Sequence, residues 1–365
     1  MQKITTPTLL LDEDICKANI GRMAKKAQQH NLRLKPHMKT HQSKRVGDWI
    51  KDAGVSAITV SSVDMARYFA EDGWKDITIA FPCNIGRVQE LNELAQNISL
   101  ALLINKPETA NFLEKHLTTS INTYIEIDTG SDRSGLASDD ITAIKELITA
   151  IEKTEYINWI GFYSHAGHSY SCRSKQEIAE VQNSVITQFE NLTKHIEPDF
   201  GAFEICSGDT PCCSIADNFG PIDTISPGNF VFYDLMQNQI GSCTPANIAV
   251  AMACPVVDKY PKRKELIIHG GAVHFSKESM TENMTTHYGT VAQKVDNYWE
   301  PLDITSHLIK LSQEHGIIRC SNNVFKNYDI GDTITILPVH SCLTANLMRQ
   351  YQLMDGNGTT VDMMQ

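Results

Sequence analysis

The sequence has no apolar run long enough to cross a membrane. A spanning helix needs roughly 18 or more consecutive apolar residues. The most apolar stretch, IAVAMACPVV from Ile248, is short and carries Pro255. Positive charge is not in surplus either: 32 Lys and Arg stand against 43 Asp and Glu, a net charge of -11. Nucleic-acid phosphates attract a basic surface, so that balance excludes general binding to nucleic acid. The ten cysteines contain no CxxC pair. The opening residues, MQKITTPTLLLDED, hold only a short apolar run before acids, so no signal peptide is expected. Together these absences predict a cytoplasmic protein whose cysteines are reduced thiols, most of them small core residues. No GxGxxG motif follows the first candidate strand, and internal repeats and low-complexity segments are lacking.

What is present is a regular alternation. The chain has 365 residues, enough for one large domain and a second smaller one. Candidate strands lie at residues 33–39, 57–62, 76–82, 99–105, 121–128, 159–165, 202–208 and 222–226. Helical patterns separate them: GRVQELNELAQN and KPETANFLEKHL repeat apolar residues at three and four positions, as in Val88, Leu91, Leu94 and Ala95. Strands alternating with helices imply a parallel sheet, and eight such pairs match a (β/α)8 TIM barrel over residues 11–238. A doubly wound open sheet is the alternative. From about residue 239 the helical patterns thin out. Short strand-like runs such as ELIIHGG, GIIRC and DTITILPV then read as a smaller, mainly β domain over residues 239–365, joined by a strand from residues 1–10.

In such barrels chemistry sits at the C-terminal ends of the strands. Several unusual residues fall there. The first candidate strand, within LKPHMKTHQSKR, ends at Lys39, and its alternation puts His37, Lys39 and His41 on one face. DTGSDRSGL carries Arg133 after the fifth strand, and YSHAGHSY carries His165, His168 and Tyr170 after the sixth. CSGDTPCC brings Ser207, Gly208 and Thr210 after the seventh, and SPGNFVFYD brings Gly228 and Asn229 after the eighth. Each has a plainer reading: a solvated basic edge strand for Lys39, and turn-shaping Gly and Pro for the last two loops. Their coincidence at one rim favours a shared pocket. Small hydroxyl-bearing loops after the last two strands suit a phosphate. A lysine desolvated at the same rim suits Schiff-base formation with an aldehyde. The two needs together describe pyridoxal 5′-phosphate.

These motifs, with TPTLLLDEDICKANIGRMA, SQEHG and PVHSCLTANL, resemble the D-threonine aldolase and D-serine dehydratase family. These are fold-type III pyridoxal-phosphate enzymes related to alanine racemase. The resemblance keeps motif order across nearly the whole chain. It implies a homodimer, Lys39 as the Schiff-base lysine and Arg133 as a contact to the cofactor's phenolic oxygen. Ser207, Gly208, Thr210, Gly228 and Asn229 would form the phosphate cradle, with His165 or Tyr170 near the pyridine ring. Family members usually carry RPGNY where this chain has SPGNF, so any role of that arginine is lost here.

The motif PVHSCLT places His340 and Cys342 two residues apart on an expected strand, pointing one way. Imidazole and thiolate together suit zinc; the other reading is a core cysteine beside a satisfied histidine. The resemblance implies a divalent metal at this position: zinc, with manganese or magnesium as alternatives. It also implies His-x-Cys in dehydratases and His-x-Asp in aldolases, and the role of His315 in SQEHG stays open. The expected function is a lyase acting on D-3-hydroxy amino acids, chiefly a D-serine dehydratase-like enzyme converting D-serine or D-threo-3-hydroxyaspartate to an oxo acid and ammonia. Retro-aldol cleavage to glycine and an aldehyde is the first alternative. An amino-acid racemase or a non-catalytic pyridoxal-phosphate-binding protein is the second.

Overall fold

The computed structural model describes residues 4–296 and 298–365. The chain divides into two compact units. One holds residues 22–39 and 50–228; the other holds residues up to 21 together with 40–49 and 229–365.

The first unit is built from β2 (Arg33–Leu34), β3 (Ala57–Val60), β4 (Asp76–Pro82), β5 (Ser99–Leu103), β6 (Ile121–Asp128), β8 (Ile157–Ser164), β9 (Glu204–Ser207) and β10 (Thr224–Ile225), with a two-residue β7 (Leu136–Ala137) beside β6. All pair in parallel, in the order β2-β10-β9-β8-β6-β5-β4-β3. The seam between the outer strands is joined by one parallel bridge, His37 to Thr59, and by the Thr59 N–H donating to Pro36 O at 2.9 Å. This is the expected eight-stranded barrel sheet, nearly closed, with an alanine racemase-like topology.

Helices follow the strands, and their starts are written into the sequence. Ser62, Asp140, Ser174 and Asp209 each accept a backbone N–H from the first turn of the helix they begin. Strand β3 is buried along its whole length, as expected for a parallel strand covered on both faces. Tyr124 and Tyr163 pack with Ala101, Leu103 and Cys206 into one buried cluster. β8 and β9 approach so closely that a Cβ on Gly161 (φ +151°) would lie 1.9 Å from Glu204 O; only glycine fits there.

The second unit is mainly antiparallel. Its strands are β1 (Thr8–Leu11), β11 (Val250–Tyr260), β12 (Glu265–His269), β15 (Gly289–Val295), β16 (Tyr298–Pro301), β17 (His307–Leu311), β18 (His315–Arg319), β19 (Thr333–Pro338), β20 (Gln350–Leu353) and β21 (Thr360–Asp362). A separate hairpin joins β13 (Met280–Glu282) to β14 (Thr285–His287). The main sheet runs β12-β18-β17-β15-β19-β11-β1-β20-β21, and β11 also pairs with β12, so the first six strands of that order form a ring. The N-terminal β1 pairs antiparallel with β11 and parallel with β20.

Two local expectations are corrected. The segment after β2 does not stay extended: Met38–Thr40 is a 3-10 turn, so Lys39 lies on a turn and not on a strand. The strand parity that would group His37, Lys39 and His41 therefore does not exist. Pro36 ends the extended run and the chain must bend. Likewise His340 and Cys342 do not lie on a strand. β19 stops at Pro338, and His340 is the N-cap of a helix, Ser341–Met348.

Candidate active site

In the barrel unit the predicted residues gather at the C-terminal strand ends. Lys39 is exposed on its 3-10 turn, so the expected desolvation of the lysine is not seen in the single chain. The two histidines beside it serve the backbone. His37 Nδ1 accepts the Lys39 N–H at 3.3 Å; in the other unit, buried His41 Nδ1 accepts the Ser43 N–H at 3.1 Å.

His165, just past β8, is half-buried and donates from Nδ1 to Gly208 O. Burial, then the charges of Lys39 and Arg133, push its imidazolium pKa down to about 3. His165 is therefore neutral near pH 7, with the charges of Lys39 and Arg133 both reaching it. Tyr170 lies against it, the ring centroids 6.2 Å apart. Arg133 is half exposed and its guanidinium stands 3.6 Å from Glu126, a buried carboxylate that also takes the Asn105 amide at 3.2 Å. Glu126 thus fixes the arginine from behind.

The loop after β9 is tightly held. Gly208 N–H donates to Ser164 O, the Ser226 N–H donates to Ser207 O, and a Cβ on Gly208 would meet Ser226 O at 2.5 Å. Asp209, buried, accepts from Ser169 Oγ at 2.9 Å and from the Cys212 N–H at 2.7 Å. Thr210 Oγ1 is fully buried and has no hydrogen-bond partner. A buried hydroxyl left without an acceptor is costly, and a phosphate oxygen is the acceptor such a loop suits. The residues present fit the cofactor on that observation. Gly228 follows β10 and is buried. A separate cavity of about 150 Å³ lies near the ends of β3 and β4, lined by Ser61, Phe81, Cys83 and Arg87; none of the predicted residues lines it.

In the second unit His340 and Cys342 are brought together as expected, by a helix start rather than by a strand. Burial disfavours the His340 imidazolium. The hydrogen bond and charge of Cys342, with Asp234 and Glu278 nearby, outweigh it and raise His340 to about 9. Burial pushes the Cys342 thiol up, but the His340 contact and the Thr40 hydroxyl bring it below its ordinary value. The contact thus favours the charged form of both partners, raising the histidine and lowering the thiol. A nitrogen and a thiolate sulfur held together are a borderline-soft donor set that fits zinc. Asn229 turns its amide to Asp234 at 2.6 Å and to Cys342 Sγ at 3.4 Å. His315 is exposed on β18, opposite His269.

Reasoning on sequence missed Thr40, Glu126, Ser226 and Asp234. Asp234 had a signal: it is the acid of FVFYDLMQNQI, an N-cap before an apolar turn.

Residues 11–234 match the family described as alanine racemase, N-terminal domain, and residues 249–354 match the putative serine dehydratase domain. The chain belongs to the alanine racemase N-terminal domain family. This is a family of fold-type III pyridoxal-phosphate enzymes. A D-serine dehydratase of Dictyostelium discoideum is 26% identical over 387 residues, covering 99% of this chain and 96% of that protein. A 3-hydroxy-D-aspartate aldolase of Paracoccus denitrificans is 24% identical over 360 residues, covering 96% and 88%. The solved D-threo-3-hydroxyaspartate dehydratase of Delftia sp. HT23 superposes with a TM-score of 0.91 at 23% identity, covering 99% of this chain and 97% of that one. A histidine-to-alanine and a cysteine-to-alanine variant of that dehydratase superpose equally well, the latter solved in a metal-free form. Among the described residues no helix is long and apolar enough to cross a membrane.

Proposed function

We propose that this member of the alanine racemase N-terminal domain family is a pyridoxal-phosphate- and metal-dependent lyase that dehydrates D-3-hydroxy amino acids, D-serine or D-threo-3-hydroxyaspartate, to an oxo acid and ammonia. The observation that carries the choice of dehydratase is the His340–Cys342 pair, whose contact raises the histidine and lowers the thiol. The metal-free cysteine variant of the Delftia dehydratase supports giving this chain's cysteine a metal-binding role.

Lys39 would hold the cofactor and, once released by the substrate amine, take the Cα proton. Arg133, braced by Glu126, would donate to an anionic oxygen of the ring. Ser207, Gly208 and Thr210, with Gly228, would hold the phosphate. Neutral His165, its Nδ1 proton committed to Gly208 O, and Tyr170 would wall the site. When bound, the cofactor supplies an electron sink for the Cα carbanion, and a divalent metal supplies Lewis acidity toward the β-hydroxyl. Thr40, which touches Cys342, is the next residue after Lys39 in the chain, so the two sets of residues are covalently adjacent. The same reading takes the protein as a cytoplasmic homodimer with zinc, manganese or magnesium resident.

The test is product identity. The protein is incubated with D-threonine, pyridoxal phosphate and zinc. Oxobutanoate and ammonia are the expected products. Glycine and acetaldehyde would make it an aldolase; L-allo-threonine alone, from inversion at Cα, would make it a racemase.

A further inference from the structure

We propose that Thr40 and Asn229 are positioning residues for Cys342, orienting its sulfur toward the place it shares with His340. The inference rests on the reading of His340 and Cys342 as metal ligands. It starts from three contacts around one sulfur. Thr40 Oγ1 lies 3.3 Å from Cys342 Sγ, and Asn229 Nδ2 lies 3.4 Å from it. His340 is the third partner. Thr40 and Asn229 occupy two directions around the sulfur, which leaves the direction of His340 for a metal; binding there needs the sulfur deprotonated.

The donors are fixed, not incidental. Thr40 is completely buried, and its hydroxyl can donate to the sulfur once the thiol is deprotonated. The direction of the Asn229 amide is decided by Asp234. That carboxylate is 1% exposed, and its Oδ2 accepts Asn229 Nδ2 at 2.6 Å, the Ser341 N–H at 3.0 Å and Ser341 Oγ at 3.2 Å. Only the NH2 end of an amide can face an ionised carboxylate. The second proton of that NH2 is left for Ser341 Oγ at 3.3 Å and Cys342 Sγ at 3.4 Å, which share it. Asn229 Oδ1 is buried without a partner, so the side chain is held in place for its donors, at some cost to its acceptor. Asp234 anchors Asn229 and the start of the Ser341–Met348 helix at once, so a single buried carboxylate sets both the donor and the backbone that carries Cys342. Partners of a metal ligand of this kind orient it and tune its donor strength.

The experiment reads the sulfur directly. The holoenzyme is stripped with a chelator, reloaded with cobalt(II), and its absorption recorded as a difference against the zinc-loaded protein, which cancels the cofactor. The wild-type protein is expected to show a sulfur-to-cobalt charge-transfer band. Thr40→Val keeps the shape and removes the hydroxyl. It should move that band to longer wavelength, because the sulfur lone pairs lose a stabilising hydrogen bond, and weaken cobalt binding about 10- to 100-fold. Thr40→Ser should restore both. Asn229→Ala should move the band in the same direction, which keeps the test open if Thr40→Val does not fold. A band that stays in place in both variants overturns the proposal, whatever happens to affinity. A wild-type protein with no sulfur band overturns the metal assignment itself, and the proposal with it.

Discussion

Two histidines, one in each unit, are both half-buried and both sit beside candidate catalytic groups, yet they are driven to opposite charge states. His165 in the barrel unit is held neutral, down to about 3, and His340 in the β unit is held charged, up to about 9. Burial acts the same way on both, against the imidazolium. The neighbours decide. His165 faces two cations, Lys39 and Arg133, while His340 faces the sulfur of Cys342 with Asp234 behind it. The barrel unit has collected positive charge, as a site for a phosphate and a carboxylate needs. The β unit has collected negative charge and a soft donor, as a site for a metal cation needs. Under the proposed function, the first suits a phosphate-bearing cofactor and the second a metal cation.

The largest break in this comparison is a pair of variants. Lys39→Ala should reduce turnover by at least about 10²- to 10⁴-fold, the usual worth of a positioned acid–base group, while zinc content measured by atomic absorption stays at the wild-type level. Cys342→Ala should do the reverse: zinc is lost along with turnover, and the cofactor's visible absorption is retained. If either variant loses both ligands, the division of labour between the units is wrong.

Much of this division was legible in the sequence, but unevenly. The barrel strands were read from apolar runs between helical patterns. The runs at 76–82 and 121–128 coincide with β4 and β6 residue for residue, because buried parallel strands are continuous and apolar. The site residues followed from the rule that strand ends carry the chemistry. Reading failed where the backbone turned. The alternation of Lys35, His37, Lys39 and His41 imitates a strand, but Pro36 and the 3-10 turn at Met38–Thr40 destroy the parity. Lys35 is instead buried and paired with Asp76 at 2.8 Å. His340 and Cys342 touch, but through a helix start and not through strand parity, since residues two apart also meet there. The donors on Cys342 could not be read at all. Thr40 and Asn229 lie 302 and 113 positions from it, and nothing local marks such a pairing.

Acid sharpens the contrast between the two histidines with a smaller effect. The folded His165 stays neutral to about 3, whereas the unfolded chain protonates near 6.5. Below 6.5 the unfolded state binds the extra proton. The stability contributed by neutral His165 is therefore present above 6.5 and lost as the pH falls toward 3, at up to about 1.4 kcal/mol per pH unit. His340 in the metal-free protein runs the other way: its contribution is full below 6.5 and lost as the pH rises through about 9. Urea unfolding at stepped pH should show His165→Gln with a flatter acid limb than the wild type. An unchanged acid limb would mean that His165 is not the neutral, half-buried group described here.

The smallest effect concerns how individual helices begin. In the barrel unit, the helices Val63–Glu71, Ile141–Glu152, Lys175–Phe200 and Thr210–Ile215 start on a Ser or Asp that caps a backbone N–H. The helix Ser341–Met348 starts on His340, which makes no such side-chain cap. A histidine there gives up a cap worth about 1 kcal/mol and keeps its ring for Cys342. Ser174→Ala should therefore cost about 1 kcal/mol in urea unfolding and leave turnover unchanged, since that cap serves only its helix. His340→Asn should recover a cap of similar size, so that the metal-free protein at a pH above about 9, where the contribution of the charged imidazole is gone, changes by less than about 1 kcal/mol while zinc binding is lost. A much larger destabilisation would show that His340 holds the fold and not only the metal position. A small one would mean that this helix start is shaped by chemistry at the expense of stability, the pattern expected where a functional residue displaces the locally preferred one.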